Sequence, residues 1–269
     1  MTELSFTKMN GAGNDFVLID NRNRQVVLDA SRVVLLCDRH RGVGADGVLA
    51  VEPSTKGADF RMRYYNADGG EAEMCGNGAR CFARFARRFG ASNAEMSFET
   101  LAGTIRASFP GDLVCITMSD PNFYRAPFDL VINGRTLSVQ FLNTGVPHTV
   151  VFADDIAAID VVKDGAALRH HPAFAPRGTN ANFVQVLGPQ SIAIRTYERG
   201  VEAETLACGT GVCAAALLHS MRAGSASPIK VKVRGGDTLE VGFEAADGSF
   251  RNVTLTGPAD FVFDGTISL

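Results

Sequence analysis

The sequence lacks several things, and each absence removes a class of function. It has no surplus of basic residues: net charge is −3 over 269 residues, with a pI near 6.0. A nucleic-acid partner is therefore disfavoured, since phosphate binding needs a basic face. No window approaches 18 uninterrupted apolar residues, so no membrane-spanning helix is expected. The start, MTELSFTKMN, has no apolar core of a signal peptide, and a cytoplasmic protein is expected. No low-complexity tract is present, and 46% hydrophobic residues are enough to build a packed interior. Arg84, Arg87 and Arg88 read as the solvated face of a helix.

Catalytic signatures are missing too. Gly42-Val-Gly44-Ala-Asp-Gly47 fits G-x-G-x-x-G, but a helix candidate precedes it and a strand candidate follows. A dinucleotide turn needs the reverse order, so this segment reads as a loop. The spacings Cys75 to Cys81 and Cys208 to Cys213 do not suit zinc, and no histidine pair lies nearby. His170-His171 reads as exposed. There is no G-x-S-x-G and no Walker motif.

What is present is glycine (28 residues), six cysteines and many strand-like runs. FVLID, VLAVE, FRMRYY, LVCITM, HTVVFA, FVQVL, IAIRTYE, IKVKV and TLEVGF combine β-branched or aromatic residues with alternation or short apolar runs. Helix candidates are fewer: Ser31–Arg39 with Ser31 as N-cap, Gly76–Phe89 and Gly209–Met221. Many strands with few long helices predict an α+β fold. SDPNFYRAP, around Ser119–Pro127, suggests a boundary, and Gly257–Pro258 a second. The expected division is a first half of residues 1–118, joined again by 257–269, and a second half of 119–256.

The most informative feature is an internal echo. Met74-Cys-Gly-Asn-Gly-Ala-Arg-Cys81 opens one helix candidate, and Ala207-Cys-Gly-Thr-Gly-Val-Cys213 opens another about half the chain away. The simplest account is two similar halves, each placing a cysteine at a helix N-terminus. Such an end carries outward N–H groups and partial positive charge. It lowers the pKa of a thiol and can hold a carboxylate. Two copies supply a base, an acid and a double anion clamp, the parts needed to remove and return a proton beside a carboxylate. Cysteines without that context, Cys37, Cys81, Cys115 and Cys213, read as small core residues. Without a signal peptide the six are expected as thiols rather than a disulfide frame.

Four segments resemble the diaminopimelate epimerase family: Lys8-Met-Asn-Gly-Ala-Gly-Asn-Asp-Phe16; Tyr65-Asn-Ala-Asp-Gly-Gly-Glu71 running into Met74–Arg84; Gly145-Val-Pro-His148; and Tyr197–Gly211, which contains Glu-Arg-Gly and Ala-Cys-Gly-Thr-Gly. With Arg177-Gly-Thr-Asn180 between them, the resemblance spans nearly the whole chain. It implies two pseudo-symmetric α/β halves, each wrapping strands around a central helix, with the active site in the cleft between them. It implies interconversion of LL- and meso-diaminopimelate, with no metal and no pyridoxal phosphate, on the way to lysine and peptidoglycan. It is compatible with a homodimer.

By resemblance Cys75 and Cys208 are the two acid–base thiols. Gly76, Asn77, Gly209 and Thr210 would donate backbone N–H groups to the substrate's carboxylate. Asn14, Asn66, Asn180 and Arg199 would hold the substrate, Arg199 at the distal carboxylate. Glu198 would lie by the reacting ammonium or tune a thiol, and His148 would tune the other thiol. From the residues alone, Asn66 is equally a turn former and Glu198-Arg199 a surface ion pair. Two positions depart from the pattern: Val146 stands where many members have Asn, and Gly47 where some have Gln. Rival readings are a proline- or hydroxyproline-type racemase, a phenazine-type isomerase without the cysteine pair, a thiol redox protein and a plain binding module.

Overall fold

The computed structural model describes residues 3–90, 94–246 and 248–269. The chain divides into two units, one of Met1–Thr117 with Gly257–Leu269 and one of Met118–Thr256. The fold is α+β, mostly strand.

In the first unit β1 (Glu3–Gly11) and β2 (Asn14–Asp20) form an antiparallel hairpin. Helix α1 (Ala30–Cys37) then leads to β3 (Gly47–Glu52), which runs parallel to β2. β4 (Phe60–Asn66) returns antiparallel to β3. Helix α2 (Gly76–Ala86) follows, and β5 (Glu95–Thr100) lies parallel to β4. β6 (Gly103–Ser108) and β7 (Val114–Thr117) complete an antiparallel run.

The second unit repeats this order. β8 (Asn122–Ile132) and β9 (Arg135–Asn143) are antiparallel, and β10 (Pro147–Phe152) pairs antiparallel with β9. Helix α3 (Val161–Arg169) leads to β11 (Asn180–Gly188), parallel to β10. β12 (Ser191–Glu198) returns antiparallel, followed by the short β13 (Ala203–Thr205). Helix α4 (Gly209–Ala223) precedes β14 (Ile229–Lys232), parallel to β12. β15 (Thr238–Ala246) and β16 (Ser249–Gly257) close the antiparallel run. β17 (Asp260–Ser268) belongs to the first unit, paired antiparallel with β1. The parallel and antiparallel pairings of β2, β3, β4, β5, β6 and β7 recur in β10, β11, β12, β14, β15 and β16.

Helices α2 and α4 are central because their residues allow burial on all sides. Ten of the eleven residues of α2 are buried, against β1, β2, β3, β4 and β7. Gly, Ala and Phe make up most of that surface; the charged exception is Arg80, fully buried. In α4 the run Gly211–Ser220 is buried against strands of its own unit. Each unit has a second apolar layer under its shorter helix. Val33 and Leu36 of α1 pack with Val17, Ile19 and Val48; Val161 and Leu168 of α3 pack with Phe183 and Tyr197.

Several expectations need correction. α1 begins at Ala30 with Asp29 as its cap, not Ser31: the Asp29 carboxylate accepts the Arg32 N–H at 2.9 Å, and the Ser31 hydroxyl donates to Asp29. Two acceptors competed for one cap, and the carboxylate stands at the better position. α2 stops at Ala86 and tightens into a 3₁₀ turn, Arg87–Phe89. The division between the units falls beside Ser119, at the start of the segment Ser119–Pro127, while Pro127 itself lies within β8, whose register shifts between Arg125 and Phe128. A bulge is where a strand tolerates a residue without an N–H. Arg87 and Arg88 are not simply solvated: their guanidinium groups lie 4.5 Å from the Phe109 ring centroid and 3.8 Å from that of Phe261. Cys115 is half-buried rather than a core residue.

Candidate active site

Cys75 caps α2 in an extended conformation, φ −134° and ψ 124°. Its carbonyl accepts the Ala79 N–H at 2.7 Å, so the helix begins directly after it. Gly76 and Asn77 form the first turn, where N–H groups point out of the helix instead of to an i−4 carbonyl. The Asn77 amide donates to Asn14 Oδ1 at 2.6 Å, and Asn14 Nδ2 donates to Asp46 Oδ2 at 3.0 Å. Arg80 supports Asn77 from below, donating to its Oδ1 at 3.0 Å. Arg39 reaches Asp46 Oδ1 at 2.9 Å and both oxygens of Asp15. Lys8 pairs with Asp15 at 2.8 Å. Burial alone would raise the Asp15 carboxyl, but the hydrogen bonds and charges of Arg39 and Lys8 outweigh it and hold it well below the usual carboxylate range.

Asn66 is not drawn into this network. It is exposed, and its backbone closes a turn with Gly69 and Gly70 at 2.9 Å each. Gly47 pairs opposite it across β3 and β4. A Cβ at Gly47 would lie 2.6 Å from the Tyr65 carbonyl oxygen, so this backbone has no room for a side chain there.

Cys208 caps α4 in the same way, φ −119° and ψ 107°, its carbonyl accepting the Val212 N–H at 2.9 Å. Its Sγ lies 3.6 Å from Thr210 Oγ1, which is 2.9 Å from His148 Nε2. Asn182 Nδ2 is 3.2 Å from His148 Nδ1. His148 is fully enclosed; burial, aided by the charge of Arg199, pushes its pKa down to about 3. Asn180 braces the strands: its amide donates to the Pro147 carbonyl at 3.0 Å and accepts the Arg199 N–H at 2.8 Å. Burial pushes the Glu198 carboxyl up, partly offset by a 2.9 Å bond from Thr205. That bond, not an ion pair with Arg199, occupies Glu198. Arg199 is half-buried and donates to the Arg177 carbonyl at 3.4 Å.

Cys81 and Cys213 are fully buried, as expected of core thiols, and burial pushes Cys81 up to about 12. Among the described residues no cluster of His, Cys, Asp or Glu could hold a metal. No helix among them is long and apolar enough to cross a membrane.

The chain matches the diaminopimelate epimerase family over residues 6–123 and 140–262. It belongs to that family. A diaminopimelate epimerase of Aquifex aeolicus is 40% identical over 277 residues, covering 98% of each chain. Diaminopimelate epimerases are isomerases, and the chain is an enzyme of that class. The fold is shared more widely. A phenazine biosynthesis protein of the PhzF family from Bacillus anthracis superposes with a TM-score of 0.75 at 15% identity, covering 100% of both chains. A probable proline racemase from Agrobacterium radiobacter K84 gives 0.72 at 17% identity, covering 99% of this chain and 93% of its own.

Asp46, Arg80 and Asn182 were not singled out in the sequence. The signals were an Arg inside a Gly/Ala helix and an Asn at the apolar start of a strand, either of which must find buried partners.

Proposed function

We propose that this enzyme interconverts LL- and meso-diaminopimelate by a two-base transfer in which Cys75 and Cys208 work on opposite faces of the α-carbon. One sulfur, as thiolate, takes the α-proton; the other, as thiol, returns one to the opposite face. The roles exchange with the direction of reaction. No net proton is gained or lost, and the configuration inverts.

The observation that carries this reading is the repeated helix start. In two units of the same strand order, a cysteine caps the buried central helix and a Gly-x-Gly turn follows it. The first-turn N–H groups of Gly76 and Asn77, and of Gly209 and Thr210, would hold the α-carboxylate where charge develops as the proton leaves. Each sulfur would approach to about 3–3.5 Å of the reacting position. Asn14, Asn66, Asn180 and Arg199 would hold the rest of the substrate, with the guanidinium of Arg199 matching a distal carboxylate. The raised pKa of Glu198 suits a group beside the substrate's ammonium. We place the reaction in the cytoplasm, in the supply of lysine and peptidoglycan precursors.

The test is solvent exchange. Reduced protein with LL-diaminopimelate in D₂O, without added cofactor, is expected to give the meso isomer with deuterium at the α-carbon by NMR. Proline is the control. Exchange with proline alone would move the substrate to the racemase class, and no exchange with either would overturn the reading. Cys75→Ala and Cys208→Ala are each expected to abolish epimerisation; substantial activity in either would remove the two-base assignment.

A further inference from the structure

Asn182 lies fully buried in β11, and its partners fix how its amide is turned. Nδ2 faces the carbonyl oxygen of Thr149 at 3.0 Å, which can only accept. Oδ1 accepts the hydroxyl of Thr196 at 3.0 Å. The remaining Nδ2 proton points at His148 Nδ1, 3.2 Å away and nearer than the Asn180 carbonyl at 3.5 Å. An amide nitrogen does not accept hydrogen bonds, so His148 Nδ1 must present a lone pair. In a neutral imidazole the proton is then on Nε2. The ring is neutral across the range in which thiols titrate, because burial holds its pKa near 3.

His148 Nε2 is 2.9 Å from Thr210 Oγ1. As the Nε2–H tautomer it donates there, and the hydroxyl accepts. That leaves Thr210 one proton of its own to place. Cys208 Sγ lies 3.6 Å from the same oxygen, within the longer reach of a sulfur acceptor. Thr144 does not compete, since its hydroxyl donates to the Thr210 carbonyl at 2.9 Å.

We infer that Asn182 fixes His148 as the Nε2–H tautomer, and that this turns the Thr210 hydroxyl into a hydrogen-bond donor to Cys208 Sγ. Asn182 is a positioning residue acting through two others. A single relay, Thr196 to Asn182 to His148 to Thr210 to Cys208, runs in one direction and ends on the sulfur. It favours the thiolate of Cys208 without bringing a formal charge to it. The charged group that acts on His148 is Arg199, which opposes its protonation; the carboxylate next to Arg199 in the chain, Glu198, is held by Thr205. The importance of the relay for catalysis rests on Cys208 being an acid–base thiol, as proposed above; the relay itself does not.

Its tests use the full-length protein without substrate, so failure of the diaminopimelate reading and failure of this inference are separate results. The first follows the pH dependence of iodoacetamide alkylation at Cys208, located by tandem mass spectrometry. Thr210→Val is expected to raise the alkylation midpoint by about one to two pH units, the worth of one hydrogen bond to a charged group. Thr210→Ser keeps the hydroxyl and is expected to stay near the wild-type midpoint. An unmoved midpoint in Thr210→Val, or an equal rise in Thr210→Ser, would overturn the inference. The second measures ¹⁵N shifts of His148 in the wild-type protein, assigned by loss of the signal in His148→Gln. Nε2 is expected to carry the proton and Nδ1 none. A protonated Nδ1 would overturn the assignment. Asn182→Asp, which can only accept, is expected to move a proton onto Nδ1; an unchanged Nδ1 would also count against it.

Discussion

Alanine at the second glycine of each Cys-Gly-x-Gly start should act with opposite sign in the two units. Gly78 and Gly211 each stand third in their helices. A methyl group at 211 would lie 2.5 Å from Asn182 Oδ1, 3.3 Å from His148 Cε1 and 3.4 Å from His148 Nδ1. Neither neighbour can swing aside. Both are fully buried, Asn182 tied to Thr149 and Thr196, His148 to Thr210. The first turn of α4 or the strand below it must move instead. Overpacking of this kind costs about 1–3 kcal/mol, and at about 2–4 °C per kcal/mol for a protein of this size Tm should fall by roughly 2–12 °C. At 78 the methyl group meets the Phe16 ring at 3.4 Å and Leu49 at 3.5 Å, ordinary contacts. There the smaller entropy of the unfolded chain should dominate and stabilise by about 0.4–1 kcal/mol. Calorimetric melts of Gly78→Ala and Gly211→Ala, side by side, make the comparison. A Gly211→Ala protein that melts at or above wild type would refute the packing argument.

Other perturbations probe other parts. Arg80→Met takes a donor from the Pro258 carbonyl and from the Asn77 amide oxygen; at about 1–3 kcal/mol per buried unsatisfied group, two such losses predict roughly 2–6 kcal/mol, and an unchanged urea midpoint would contradict it. His148 has a native pKa of about 3 against an ordinary 6.5. In that interval the unfolded chain binds a proton that the native state refuses, so stability falls as pH drops from 6.5 towards 3. Urea titrations of His148→Asn should show a shallower decline there; an identical slope would exclude the effect. Glu99 accepts hydrogen bonds from Ser54, Thr55 and Lys56 and is held down to about 2. Its contribution is complete above 4.5 and is lost only as pH falls from there towards 2, so Glu99→Gln should flatten the acid limb below 4.5 and leave the slope above it as in the wild type.

The central helices were legible because their pattern is rare: a glycine-rich start, then Ala and large apolar residues on every side. Strands β2, β3, β4 and β12 were legible for the complementary reason, short runs of β-branched and aromatic residues. α3 was not, since VVKDGAALR is short and carries two valines and a glycine against the helix. β8 was hidden by Pro127, because nothing local tells a bulged strand from a linker. At the site, the thiols and their turns could be read from repetition. The partners of those turns could not. Asp46 and Asn182 matter through contacts made across 32 and 34 positions, and Arg80 through one made across 178, and no spacing rule encodes them.

The two units keep one order of strands and helices and diverge in what holds the turn after each cap cysteine. Asn77 and Thr210 hold the same helical position. The Asn77 amide joins a chain of Asn14, Asp46, Arg39, Asp15 and Lys8, whose outer member Arg39 has a side chain 56% exposed. Charge at that surface is screened by salt, so its value lies in geometry: it fixes which way the Asn14 amide faces. The half-buried Thr210 hydroxyl joins His148, Asn182 and Thr196, which are uncharged and buried, where a hydrogen bond is strengthened by low dielectric and an unmet one is costly. Duplication explains why a thiol stands at each helix start. It does not make the two thiols equivalent, because each rests on a turn whose side chain is held by a different kind of network.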